Sequence, residues 1–166
     1  MTDDSFEILE NIGQESIPKF FKTELEFKDT EGVDKWRLVK TRVNQGEFRR
    51  RILASYNERC CITDIDIPIL LNASHIIPWV ENVTERLNPR NGLCLNMIHD
   101  KAFDKGLITI TTDFKVKLSK VILKKKNEKE IQNLFIRFEN QSIILPDRYS
   151  PDRDFLDWHF DNKFQK

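Results

Sequence analysis

The chain has 166 residues, 39% hydrophobic and 33% charged, a composition that predicts one small domain with polar extensions. No apolar run reaches the ~20 residues a bilayer crossing needs, and Met-Thr-Asp-Asp at the N-terminus lacks the basic start and apolar centre of a signal peptide. These exclude a membrane partner and predict a cytoplasmic protein. Lys and Arg together number 27, as do Asp and Glu, so net charge says little about partners, but its distribution is uneven.

Residues 1–34 form an acidic N-terminal extension with a net charge of about −7. From residue 35 to residue 59 the sign flips to about +6, and the folded domain is predicted to occupy residues 35–166, with its core at about 59–110. Within the basic stretch, "NQGEFRRRILASY" has the pattern of a helix. Asn44 and Glu47 have the spacing of a capping box, and Phe48, Ile52 and Tyr56 recur on one face. Arg49, Arg50 and Arg51 fall mostly off that stripe, available to solvent or to an anion such as a nucleic-acid backbone.

"ILLNASHIIP" is short and apolar and stops at Pro78, as a buried strand does. "WVENVTERLNPR" is a loop, "NGLCLN" a second short strand, and "MIHDKAFDKG" a helix with Ile98, Ala102 and Phe103 at helical spacing and Gly106 as its left-handed cap. "LITITTDFKVKLS" alternates on both sides of a turn, a hairpin signal. A second basic cluster follows at Lys115, Lys117, Lys120 and 124–126, and 124–129 is the expected mobile linker. Phe155, Trp158, His159 and Phe160 mark a terminal helix in which His159 packs.

Cys60, Cys61 and Cys94 form an odd set without a CxxC pair, which points to a reducing compartment and small buried thiols. A zinc site using Cys60, Cys94 and a histidine is the less favoured arrangement.

The strand, loop, strand, helix order brings together His75 at the end of one strand, Asn91 at the start of the next and His99 in the following helix. Phosphodiester hydrolysis needs an activated water, a cation to neutralise phosphoryl charge, and a brace for the base. An imidazole can take a proton near neutral pH, a second can ligate a divalent metal, and an asparagine amide can brace the loop without adding charge.

With "RCCIT", "ASHIIPW", "RLNPRNGLCL" and "HDKAFDKGLITI", the sequence resembles the HNH endonucleases, most closely their restriction-endonuclease-like branch. The resemblance implies an α+β fold on a ββα-metal core with flanking helices and an additional β-hairpin. It implies metal-dependent hydrolysis of DNA, with His75 as general base, Asn91 as the loop tether, His99 as ligand to Mg²⁺ or Mn²⁺ in preference to Zn²⁺, and Asp104 supporting the site or sharing the metal. Arg90, Arg49 and Arg50 are the expected contacts to double-stranded DNA.

The pattern also departs from the family. Ser74 stands where many HNH enzymes carry a metal-binding aspartate, which leaves the second protein ligand open. Asp104 is five residues from His99, about 140° around an ideal helix, and Asp100 is the other candidate. Restriction or phage defence is the role the branch implies. A homodimer would ease double-strand cleavage, although no interface is legible. The rival readings are a nucleic-acid-binding module of the same fold without catalysis, and a zinc-stabilised interaction domain.

Overall fold

The computed structural model describes residues 45–166; the acidic extension, its boundary at residue 34 and the capping role expected of Asn44 lie outside them. The described chain mixes short helices with two antiparallel strand pairs. Helix α1 spans Gln45–Ser55, strand β1 Leu71–His75, strand β2 Gly92–Asn96 and helix α2 Met97–Asp104. A second pair, β3 at Ile108–Ile110 and β4 at Val116–Leu118, is followed by α3 at Lys120–Leu123, α4 at Lys129–Leu134 and α5 at Arg153–Asn162. This is the expected α+β architecture.

β1 and β2 pair in the register Leu71 to Asn96 through His75 to Gly92, and α1 and α2 pack against the ribbon. A two-stranded ribbon is marginal alone and needs such a cover. The α1 stripe supplies it: Phe48, Ile52 and Tyr56 are all buried, and they join Leu71, Leu93, Leu95 and Phe103 in one core. Each such side chain contributes roughly 1.5–3 kcal/mol by leaving water.

β1 is shorter than its apolar run. Pro68–Leu70 forms a 3₁₀ turn with Ile69 83% exposed. At the other end the strand stops at His75, three residues before the proline, because Asn91 takes over the hydrogen bonding. Its carbonyl accepts from Ile76 N at 3.0 Å and its side-chain Oδ1 from Ile77 N at 2.8 Å.

The buried stripe of α2 is His99, Ala102 and Phe103, while Ile98 is half exposed, so the stripe is rotated by one residue from the expected one. Asn96 sets that phase as the N-cap, its Oδ1 accepting from Ile98 N and His99 N, both at 3.0 Å. Gly106 ends the turn at φ +66, and an added Cβ would meet Lys163 O at 1.9 Å. Both the left-handed backbone and the close approach of the segment after α5 therefore require glycine.

Residues 124–129, expected to be a mobile linker, are instead hydrogen-bonded turns between α3 and α4. Lys124 N bonds to Lys120 O, Lys125 N to Ile122 O and Glu128 N to Lys125 O, each within 3.0 Å. The run is lysine-rich because its side chains are solvated, not because the backbone is unpaired.

Candidate active site

An open cavity of about 780 Å³ lies where β1, α2 and the start of α1 meet, lined by His75, Ser74, Asp100, Asp104, Arg49, Lys101, Lys163 and Trp79 among others. His75 is half-buried at its wall. Its Nε2 lies 2.9 Å from the carbonyl oxygen of Arg86. A carbonyl can only accept, so Nε2 carries the proton and Nδ1 is the basic nitrogen of the neutral ring. The ring stacks on Phe48, centroids 3.8 Å apart and planes inclined by 12°, and meets the edge of Trp79 at 5.7 Å.

Asn91 is fully buried and reaches across the loop between the strands. Its Nδ2 donates to Ile77 O at 3.1 Å and Glu85 O at 3.2 Å. The Glu85 carbonyl precedes the Arg86 carbonyl that His75 uses, so Asn91 holds the peptide next to the one that contacts the imidazole. Arg86 is fixed from its own side, with Nε donating to Trp79 O at 2.7 Å and the guanidinium 5.0 Å from the Trp79 ring centroid.

His99, expected to be a metal ligand, does not line this cavity. It is 2% exposed, its Nδ1 accepts from Asn96 Nδ2 at 2.8 Å, and its Nε2 donates to Leu134 O at 2.7 Å. Phe135 and Phe138 meet it edge-on. The acid beside it in sequence faces the cavity instead. Asp100 accepts from Asn72 Nδ2 at 2.8 Å through Oδ2 and from the Ser74 hydroxyl through Oδ1. Asp104 follows Asp100 by four residues, which puts both on one helix face, and its exposed carboxylate lies 3.7 Å from Lys105 Nζ. Thus Ser74, where an aspartate was the family expectation, serves as a donor that aims one.

The arginines separate. Arg49 lines the cavity and is pinned through its guanidinium to Leu71 O at 2.6 Å and Pro68 O at 3.0 Å. Arg50 is exposed and pairs with Glu47. Arg90 does not line the cavity, and it pairs at 3.4 Å with Asp152, the N-cap of α5. Lys101 and Lys163, not singled out in the sequence, add positive charge to the cavity wall.

All three cysteines are free and buried. Cys60 is not in an apolar setting: it accepts from Asn96 N at 3.3 Å, and Asn96 Nδ2 also reaches Thr63 Oγ1 at 3.1 Å. Burial pushes the Cys60 thiol up, but the neighbouring His99 ring, Thr63 and the backbone N–H groups of Thr63 and Ile62 outweigh it, leaving the thiol at about 7. Cys94 is pushed up to about 12, by burial first and then by Cys60. The less favoured arrangement, Cys60 and Cys94 with a histidine around zinc, is not formed among the described residues, and Cys60 instead joins a hydrogen-bonded cluster with Asn96 and Thr63.

The donor set suits a hard divalent cation. Each Asp100 oxygen keeps a second lone pair beyond the bond it accepts, and Asp104 adds a carboxylate one turn away. Among the described residues no three His, Cys, Asp or Glu side chains converge as a metal cage; a hydrated cation held through one or two carboxylates does not need one.

A family model described as HNH endonuclease matches residues 60–111, the segment from Cys60 through β1, β2 and α2 to the end of β3. Among solved structures, the modification dependent TagI restriction endonuclease shares the fold at a TM-score of 0.50 and 20% identity, over 75% of this chain and 40% of that one. The chain therefore corresponds to less than half of that protein's length. No curated protein matches. Among the described residues no helix is long and apolar enough to cross a membrane. HNH nucleases generally use a divalent metal, as the carboxylates of this cavity fit. The segment that folds into β1, β2 and α2, with the cavity on its face, is the part of the chain that matches the HNH endonuclease model.

Proposed function

We propose that the protein hydrolyses phosphodiester bonds of double-stranded DNA in this cavity, with His75 as the general base and Asp100, aided by Asp104, holding the divalent cation. The observation that carries the reading is the hydrogen bond from His75 Nε2 to the Arg86 carbonyl, which makes Nδ1 the basic nitrogen of a ring lining the same cavity as Asp100. Nδ1 takes the proton of an attacking water, and the Arg86 carbonyl stabilises the imidazolium through the N–H it already accepts. Ser74 and Asn72 orient the Asp100 carboxylate. Arg49, Lys101 and Lys163 bind flanking phosphates, which supplies affinity without sequence information.

When bound, the cation neutralises charge developing on the phosphoryl and leaving oxygens. All-oxygen donors favour Mg²⁺ or Mn²⁺ over Zn²⁺. Restriction or defence against phage DNA, in the cytoplasm, is the role this activity would serve.

Conversion of supercoiled plasmid by the purified protein in EDTA, Mg²⁺ or Mn²⁺, beside His75→Ala, tests the reading. Cleavage that requires metal and falls about 10²–10⁴-fold in the variant supports it. Metal-independent binding with no cleavage by either protein would leave a DNA-binding module of the same fold.

A further inference from the structure

His75 closes β1, and its partner across the ladder is Gly92. The glycine backbone is ordinary extended chain at φ −142, so conformation does not demand it. Space does. A Cβ there would lie 2.4 Å from Ile52 Cδ1 and 2.8 Å from Phe48 Cζ, closer than any side-chain contact allows. The volume that Gly92 leaves open is filled by the buried edge of α1, and from that position the Phe48 ring lies flat on the imidazole.

The carbonyl of Arg86 fixes one point of the His75 ring. A hydrogen bond at one ring nitrogen does not by itself set the plane, because rotation about the Cβ–Cγ bond of histidine has broad minima. Phe48 lies along the ring as a flat wall, and Trp79 meets it at 89°. The wall is itself anchored. Arg49, the next residue, ties α1 to the backbone of β1 and of the turn before it, and Phe48 is 1% exposed.

We infer that Phe48 is a positioning residue for His75, with Gly92 as its steric complement, so that α1 sets the plane of the base as well as filling the core. The catalytic consequence rests on the nuclease reading; the geometric one does not. The pairing also gives α1 a part in the site although it lies outside the segment matched by the family model.

Phe48→Leu keeps an apolar side chain at the position but removes the wall, and Gly92→Ala presses on the tip of the Phe48 ring without removing apolar volume. Ile52→Val is the control, since Ile52 packs on the same glycine. Measured well below each variant's Tm, kcat for plasmid cleavage is expected to fall about 10- to 100-fold in Phe48→Leu and Gly92→Ala, with KM within about twofold. Ile52→Val should keep the wild-type kcat.

Nitrogen-detected NMR of the histidine rings gives a readout independent of cleavage. Wild type should show the Nε2–H tautomer at His75, and Phe48→Leu a mixture of tautomers. A wild-type tautomer together with wild-type kcat per folded molecule in both variants would overturn the inference. If wild-type protein cleaves no DNA, the nuclease reading fails, and the tautomer measurement alone decides whether Phe48 orients the ring.

Discussion

The three histidines use the same first contact and differ in their surroundings. Each ring offers Nε2 to a backbone carbonyl, of Arg86 for His75, Leu134 for His99 and Phe103 for His159. At His99 and His159 the remaining nitrogen accepts from a buried side chain, the Asn96 amide or the Thr109 hydroxyl, and the rings are 2% exposed. His75 lines the cavity that contains Asp100. A carbonyl partner on Nε2 therefore does not distinguish the proposed base from a structural histidine, and the exposure of the ring to the cavity does. A ring buried in the core with both nitrogens committed holds the fold together, while a half-buried ring bordering a charged cavity has the surroundings that the proposed base requires.

The comparison sharpens first at His159. Burial, the largest cause, pulls its pKa from the usual 6.5 down to about 4, and the bond to Phe103 O only partly opposes this. Because the folded pKa lies below the unfolded one, this contribution to stability is intact above about pH 6.5 and is lost as pH falls towards 4, a change of about 3 kcal/mol. Urea unfolding midpoints between pH 7 and pH 4 should fall accordingly, and His159→Gln should flatten that part of the curve.

A smaller effect is expected at Ser74. Its hydroxyl aims Asp100 without touching substrate, so Ser74→Ala should lower cleavage about tenfold and raise the Mg²⁺ concentration needed for half-maximal rate, with little change in Tm. The smallest belongs to Arg90. Its pair with Asp152 is half exposed, and Arg90→Ala should cost less than about 1 kcal/mol in stability and leave cleavage within about twofold.

Much of the fold was legible because its elements are local. Alternation and stop signals marked β2, the β3–β4 hairpin and the terminal helix, and the i, i+4, i+8 spacing of Phe48, Ile52 and Tyr56 marked the buried face of α1. Of the expected site residues, His75, Asp104 and Arg49 line the cavity, but the phase of α2 was not legible. Ile98, Ala102 and Phe103 fit a helical stripe as well as His99, Ala102 and Phe103 do, and nothing local distinguishes them. The choice is made by the Asn96 cap and by the carbonyl of Leu134, 35 residues away. Once His99 faces inward, Asp100 and Asp104 fall about 100° and 140° around the helix from it, and both line the cavity, consistent with the i, i+4 spacing of the two acids. Phe48 was readable as core, but its stacking on His75 depends on a cross-strand glycine that no helical pattern reveals. Arg90 adjoins Asn91 in sequence, yet the acid that holds it lies 62 positions later at the α5 cap.

The most direct test compares the two sides of α2. Plasmid cleavage in Mg²⁺ should be measured for Asp100→Asn and His99→Gln, each corrected for its folded fraction by circular dichroism. The expected result is a loss of at least about 100-fold for Asp100→Asn with an unchanged Tm, against a lowered Tm and near wild-type cleavage per folded molecule for His99→Gln. Full activity in Asp100→Asn with a metal-rescuable loss in His99→Gln would contradict the account and return the metal to the buried histidine.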